Sequence, residues 1–130
     1  MTSGHSRSWR PAEFWRSFVY AGRGVRIVLW DEPNGRFHLV AAIAVLAASA
    51  ALHLSRTEWC WIVGAIAAVW AAEGFNTAIE AVVDLASPEF HPLAARAKDA
   101  AAGAVLVTAA GAATIGLLIL GPRAWLWSMS

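Results

Sequence analysis

The sequence predicts an all-α membrane protein, in which an N-terminal amphipathic surface helix precedes three transmembrane helices. Of the 130 residues, 58% are hydrophobic and only 15% are charged, and the mean hydropathy is +0.53. Soluble domains carry about 25% charged residues, so this composition indicates lipid surroundings. Three apolar runs, with their flanks, also reach the ~20 residues that cross ~30 Å of hydrocarbon as a helix. The net charge of +1 offers no basic excess for nucleic acid.

The N-terminal region divides into a short tail and a surface helix. Residues 1–8 are expected to be disordered, and no cleavable signal peptide is indicated because the first long apolar stretch begins only near Leu39. Over about 9–31, arginines alternate with aromatic and aliphatic residues, as in helices that lie in a membrane surface. A surface helix of a soluble domain would show the same pattern, but the apolar runs that follow favour the membrane.

Three membrane spans follow, at about 36–54, 57–85 and 96–120. Ser55, with Glu58 three residues later, has the spacing of a capping box and marks the start of the second span. Pro88 and Pro92 resist helix formation and predict a loop between the second and third spans.

The third span is expected to end where Gly121 is followed by Pro122, because proline interrupts helices. Residues 122–130 would then form a C-terminal tail. The part of the chain between the two tails, about 9–121, is short enough for a single domain.

The basic residues predict an orientation. Two of the ten, Arg56 and Arg123, fall on one side of the membrane. The other eight fall on the opposite side, which is therefore predicted to be cytoplasmic and to include the N-terminus: Arg7, Arg10, Arg16, Arg23, Arg26, Arg36, Arg96 and Lys98. Tryptophans agree with this topology, because four of them would meet at the outer interface: Trp59, Trp61, Trp125 and Trp127.

A stripe of polar residues marks the cytoplasmic half of the second span. On a helix with 3.6 residues per turn, Glu73, Asn76, Glu80 and Asp84 fall within roughly 60° of one another. Carboxylates in a membrane helix are costly unless paired, protonated or solvated, so they indicate a functional site. A solvated helix end would explain Asp84 and Glu80. It would not explain Glu73 and Asn76, which lie deeper.

The chemistry of this stripe leaves three functions open. Oxygen ligands without His or Cys favour Mg²⁺, which usually takes one or two carboxylates plus substrate phosphates. Lys98 could meet a phosphate there, or could simply extend to the membrane boundary. Besides phosphoryl transfer, membrane carboxylates build proton or cation pathways, and a non-catalytic scaffold could use the stripe as a subunit contact.

Two linked motifs resemble a known family. The block EGFNTAIEAVVD from Glu73 to Asp84, followed by SPEFHPLAARAKD from Ser87 to Asp99, closely resembles the prokaryotic diacylglycerol kinases, a family that includes the undecaprenol kinases. The resemblance extends over roughly residues 17–120 and includes the segment EPNGRFH before the first span. Its length and specificity favour the kinase over the two other functions.

The resemblance implies a homotrimer that uses ATP and Mg²⁺ to phosphorylate the hydroxyl of undecaprenol or diacylglycerol, in active sites shared between subunits at the cytoplasmic interface. By position, Glu73 would be the general base, and Glu32 and Glu80 would hold the metal on the ATP phosphates. Asn76 and Asp84 would support the site. The matching nucleotide contacts are Tyr20, Glu89, Phe90, His91, Lys98 and Asp99.

Two features distinguish this chain within the family it resembles. Near the start of the surface helix, where the family can supply an arginine to the nucleotide, this chain has Glu13, and Arg10 and Arg16 are the candidates to replace that contact. The EPNGRFH segment is more similar to the undecaprenol kinases than to the diacylglycerol kinases, and it therefore favours undecaprenol as the acceptor.

Overall fold

The computed structural model describes residues 11–129, and within them the chain forms helices and no strands. The four helices are α1 (Pro11–Trp30), α2 (Pro33–Ala51), α3 (Arg56–Ala86) and α4 (Pro92–Ser128). The predicted all-α fold is thereby confirmed. The expected disordered tail and the first two residues of the expected surface helix lie outside the described residues.

Helices α2, α3 and α4 are each long and apolar enough to cross a membrane, as predicted. With 31 and 37 residues, α3 and α4 are about 46 Å and about 55 Å long at 1.5 Å per residue. Both exceed a hydrocarbon core of ~30 Å, so their ends project beyond it. The two helices pack along each other, while α2 packs mainly on α3.

Helices α1 and α2 meet at a close contact between Val28 and Gly35. Both residues are buried, and a Cβ atom on Gly35 would lie 1.8 Å from the carbonyl oxygen of Val28. Only glycine therefore fits this position. Pro33 begins α2, where its missing N–H costs no helical hydrogen bond. The sequence thus locks the surface helix against the first turn of the first span.

Helix α2 ends earlier than the predicted first span, because a tight turn reverses the chain. The N–H of His53 donates to the carbonyl of Ala50, and that of Leu54 to the carbonyl of Ser49, each at 3.3 Å. His53 has a φ of 51°, which is the left-handed conformation of a Schellman motif. A histidine therefore occupies the position that glycine usually takes, and Ala51 is the last helical residue.

The predicted capping box at the start of α3 is confirmed. The hydroxyl of Ser55 accepts from the N–H of Glu58 at 3.4 Å, and the Glu58 carboxylate accepts from the N–H of Ser55 at 2.7 Å. The predicted loop before α4 is confirmed as well, since α3 ends at Ala86 and α4 begins at Pro92.

The prediction that Pro122 ends the third span and leaves a C-terminal tail is wrong. Helix α4 continues through Pro122 to Ser128. A proline removes one backbone hydrogen bond, and the next residue anchors this part of the helix. Arg123 places Nη2 at 2.6 Å and Nε at 3.1 Å from the two carboxylate oxygens of Glu58, and its Nη1 donates to the carbonyl of His53 at 3.1 Å.

Candidate active site

Glu73 lies enclosed in the packed part of α3, with only 1% of its surface exposed. His38 of α2 faces it, with Nε2 at 3.1 Å from Oε1 of Glu73. The two atoms are within ion-pair distance, yet within residues 11–129 no group reaches this oxygen with the geometry of a hydrogen bond. Burying a carboxylate is costly, and native structures rarely leave such a group without full partners. Glu73 is therefore a strong candidate for a chemical role.

The predicted polar stripe is present along α3. Asn76 is 8% exposed and donates from Nδ2 to Oε1 of Glu80 at 3.0 Å. Thr77 donates from Oγ1 to the backbone carbonyl of Glu73 at 3.0 Å. Exposure rises along the stripe, because Glu73 and Asn76 are buried, Glu80 is half-buried and Asp84 is exposed. The helix therefore carries a polar path from an enclosed carboxylate to an open one.

Lys98 connects α4 to the open end of this stripe. Its Nζ lies 2.6 Å from Oδ1 of Asp84, and the two side chains are 38% and 66% exposed. Glu80 also attracts the Lys98 ammonium. A pair this exposed contributes little to stability, because water screens it. The pair matters for the chemistry of the site instead. It keeps the positive charge of Lys98 beside the carboxylates of Asp84 and Glu80, where a phosphate could bind.

The other residues predicted to contact a nucleotide on this side of the molecule are exposed. Glu89 and Phe90 lie in the loop before α4, His91 caps that helix, and Asp99 directly follows Lys98. The Nδ1 atom of His91 accepts from the N–H of Leu93 at 3.2 Å. A neutral imidazole that accepts at Nδ1 carries its proton on Nε2, so His91 keeps one donor available.

Two predicted site residues belong to α1 and to the turn that follows it. Tyr20 is exposed, and the guanidinium of Arg23 lies 5.8 Å from the centroid of its ring. Glu32 is the half-buried N-cap residue of α2, but its side chain makes no capping hydrogen bond. Its carboxylate is therefore not used by the helix. That Glu32 and Glu80 share a cation stays a prediction.

The arginine that would replace the family's N-terminal nucleotide contact also stays a prediction. Arg16 is exposed on α1, as is Glu13. Arg10 lies outside the described residues.

The oxygen ligands of the stripe fit Mg²⁺. Among the described residues, no group of three or more His, Cys, Asp or Glu side chains is arranged to hold a metal ion. Mg²⁺ does not require one, because it usually takes one or two carboxylates together with waters and substrate phosphates. Glu80 suits that role, since Asn76 uses only one of its two oxygens.

An apolar cavity of about 440 Å³ lies between α2, α3 and α4. It extends from Phe37 and His38 at one end to Gly121 at the other, and alanine, glycine and aliphatic side chains form most of its wall. Because His38 borders the cavity and also faces Glu73, the apolar space reaches the neighbourhood of the buried carboxylate.

His38 is absent from the set of site residues that the sequence predicts. A signal was available, because His38 stands in the early part of the predicted first span, where a polar side chain would lie in or near the membrane. A histidine on a packed face of a membrane helix needs a polar partner. The carboxylates of the next span were the candidates, but the sequence does not say which of them lies beside it.

Comparison with known proteins identifies the same family that the sequence motifs resemble, and this family is consistent with the three long apolar helices. The sequence profile of the prokaryotic diacylglycerol kinases matches residues 19–120. An undecaprenol kinase of Bacillus subtilis (strain 168) is 48% identical over 110 residues, which cover 85% of this chain and 89% of that protein. A diacylglycerol kinase of Synechocystis sp. is 39% identical over 107 residues, or 82% of this chain and 61% of that protein.

A diacylglycerol kinase of Escherichia coli (strain K12) is 32% identical over 88 residues, which cover 68% of this chain and 72% of that protein. The family profile includes the whole of α2 and α3, and thus the helices that carry His38 and Glu73. With its three long apolar helices and its buried carboxylate, the chain belongs to the prokaryotic diacylglycerol kinase family and is a lipid kinase.

Proposed function

We propose that this lipid kinase transfers the terminal phosphoryl group of ATP to the hydroxyl of undecaprenol at the cytoplasmic surface of the cell membrane. The observation that carries the proposal is the position of Glu73. It is buried, an apolar cavity reaches it on one side through His38, and the polar stripe leads away from it toward solvent. A lipid alcohol would arrive through the apolar side, and the nucleotide through the polar side.

Glu73 is proposed to act as the general base. As the hydroxyl oxygen of the lipid bonds to the terminal phosphorus, the bond from that phosphorus to the oxygen of ADP breaks, and the hydroxyl proton passes to the Glu73 carboxylate. Phosphoryl transfer depends mainly on positioning and on charge stabilisation. The burial of Glu73 supports this role, because a closed site keeps out water that would otherwise take the phosphoryl group.

The open end of the stripe is proposed to bind Mg²⁺ and ATP. When bound, the metal neutralises charge on the phosphates, and Glu80 and Glu32 are the carboxylates proposed to hold it. Lys98 is proposed to contact a phosphate, with Asp84 and Asn76 supporting the site. Exposure to solvent supports the remaining nucleotide contacts, which are proposed to be Tyr20, Glu89, Phe90, His91 and Asp99.

The active protein is proposed to be a homotrimer with its N-terminus in the cytoplasm. The distribution of the basic residues supports the orientation. The surface of α4 supports an assembly, because the most apolar 18-residue stretch of that helix has no buried residue within the chain. Leu106, Leu117 and Leu118 are each more than 70% exposed. Neighbouring subunits would cover part of this surface, and lipid the remainder.

Undecaprenol is the favoured acceptor because this chain is more similar to the undecaprenol kinase than to the two diacylglycerol kinases described above. The undecaprenol kinase shares 48% of the aligned residues, against 39% and 32% for the two diacylglycerol kinases. The EPNGRFH segment points the same way. Diacylglycerol is the alternative acceptor, since lipid cavities of this kind are apolar and tolerate different tails.

A direct assay tests the proposal. The purified chain in detergent micelles receives ATP labelled at its terminal phosphate, Mg²⁺, and either undecaprenol or a diacylglycerol. We expect labelled undecaprenyl phosphate in excess, and no product when EDTA removes the metal. A dominant phosphatidic acid product would reassign the acceptor. If neither lipid is phosphorylated while vesicles containing the chain conduct protons, the carboxylates form a pathway and the kinase proposal fails.

A further inference from the structure

One buried contact of the site has no role in the function proposed above. Nε2 of His38 lies 3.1 Å from Oε1 of Glu73, and the two side chains are 14% and 2% exposed. The polar neighbours on α3 are engaged elsewhere, because Asn76 bonds to Glu80 and the hydroxyl of Thr77 bonds to the Glu73 backbone. In the part of the chain that the structure describes, His38 is thus the polar side chain that faces this enclosed oxygen.

We propose that His38 is a positioning residue, which holds the Glu73 carboxylate by donating its Nε2–H to Oε1 and leaves Oε2 to accept the proton of the lipid hydroxyl. The inference rests on the proposed function, in which Glu73 is the base. The 3.1 Å between Nε2 and Oε1 is already the distance of an N–H···O hydrogen bond, and the bond forms when the ring turns its N–H toward that oxygen.

Such a hydrogen bond would favour the reaction by fixing the orientation of the Glu73 carboxylate. A glutamate side chain has three rotatable bonds, and the hydroxyl of a lipid alcohol must meet one defined oxygen to lose its proton. Fixing reacting groups in the attack geometry contributes a large part of the rate of such reactions, and a misplacement of about 1 Å can cost about 10²-fold. A hydrogen bond to one carboxylate oxygen removes this freedom from Glu73 and orients the other oxygen.

The fold provides His38 with a rigid support. The residue belongs to the first turns of α2, and Gly35 in the preceding turn is fixed against the backbone of Val28. His38 and Glu73 come from different helices, so the packing of α2 on α3 sets the orientation of the carboxylate. His38 also borders the apolar cavity. A hydroxyl that arrives along the cavity therefore meets imidazole and carboxylate together.

Two substitutions separate hydrogen bonding from packing. His38→Phe fills the space without a donor, and His38→Gln places an amide N–H within reach of the same oxygen. In micelles with undecaprenol, ATP and Mg²⁺, we expect His38→Phe to lower kcat by about 10–100-fold while KM for ATP changes less than about twofold. We expect His38→Gln to recover most of that loss. His53→Gln removes an exposed imidazole in the turn that follows the other end of α2 and serves as the matched control, with unchanged kcat.

A spectroscopic measurement tests the contact without turnover. In a histidine-selective ¹⁵N spectrum of the full chain, the Nε2 resonance of His38 should move when Glu73 is replaced by glutamine, whereas that of His53 should not. A merely structural histidine, packed beside Glu73 without bonding to it, would show no such specific change at Nε2.

The outcomes are distinct. A His38→Phe variant with wild-type kcat overturns the inference, and so do Phe and Gln variants that are equally impaired. If His38→Phe does not assemble, the smaller His38→Leu provides the same comparison. If wild-type protein phosphorylates no lipid alcohol, it is the proposed function that fails. The ¹⁵N spectrum then still decides the bond, because an unmoved Nε2 resonance overturns it.

Discussion

Asn76 donates from Nδ2 to Oε1 of Glu80 at 3.0 Å, one helical turn further along α3. This bond marks the boundary between the enclosed and the open part of the polar stripe, since Asn76 is buried and Glu80 is half-buried. One helix face thus carries an enclosed carboxylate, Glu73, and a more exposed one, Glu80. A kinase whose acceptor is a lipid and whose donor is ATP needs this arrangement.

Replacement of Glu73 by glutamine should abolish lipid phosphorylation. The amide keeps the size of the side chain but cannot accept the hydroxyl proton, so we expect kcat to fall by about 10²–10⁴-fold. ATP binding should change little, because the proposed nucleotide contacts lie further along the stripe and on other helices. Turnover and the binding of a fluorescent ATP analogue measure the two effects. Unchanged turnover would place the base elsewhere.

Replacement of Glu80 by glutamine should weaken the engagement of Mg²⁺ and ATP. The variant keeps the hydrogen bond from Asn76 through its amide oxygen but loses the negative charge that is proposed to hold the cation. We expect the Mg²⁺ concentration for half-maximal activity to rise on the order of 10–100-fold. A Mg²⁺ titration at fixed ATP measures it. Glu58→Gln, an acidic residue at the opposite end of α3, is the control, and an identical titration for both variants would contradict the role of Glu80.

Lys98→Met should raise KM for ATP without lowering the unfolding temperature. The ammonium is the positive charge beside Asp84, so we expect the loss of a charged phosphate contact to raise KM on the order of tenfold. Stability should hold because the pair is largely exposed and screened. Arg96→Met, two residues earlier and also exposed, is the matched control. If KM for ATP rose equally in the two variants, the general positive charge of this region, and not a specific contact from Lys98, would account for phosphate binding.

Much of the fold and of the stripe follows from local patterns. Helix periodicity alone places Glu73, Asn76 and Glu80 on one face, and the structure keeps that face because α3 runs unbroken from Arg56 to Ala86. The Ser55 capping box likewise depends on residues three positions apart. Such features need no knowledge of the neighbouring helices.

The remaining features depend on contacts between helices that are distant in the sequence. The approach of His38 to Glu73 follows from how α2 packs on α3. Helix periodicity predicts which residues share a face, but it does not predict which face of another helix packs against them. Pro122 shows the same limit. The local rule predicts that proline ends a helix, but α4 continues through Pro122, and the next residue, Arg123, is paired with Glu58 of a different helix. The sequence motifs also cannot report how near Glu32 comes to Glu80, since the two belong to different elements.

Gly35→Ala should destabilise the junction of α1 and α2. The added methyl group would lie 1.8 Å from the carbonyl oxygen of Val28, and a backbone atom cannot move aside as a flexible side chain can. Overpacking of this kind costs about 1–3 kcal/mol or more, so the unfolding temperature in detergent should fall. Gly22→Ala is the control, because nothing lies within 4 Å of its added Cβ and alanine favours helix. Equal effects of both changes would contradict the close contact.

Arg123→Met should lower the unfolding temperature by a few degrees and leave phosphorylation at low temperature intact. The arginine joins α4 to the start of α3 through both oxygens of Glu58, and to the turn between α2 and α3 through the carbonyl of His53. Activity should be retained because these contacts lie far from Glu73 along α3. In the double variant with Glu58→Gln, little further loss is expected because the two side chains act as one unit. Arg56→Met, a nearby exposed arginine, is the control. Additive losses would show that the two residues stabilise the fold independently, and the continuation of α4 past Pro122 would then need another cause.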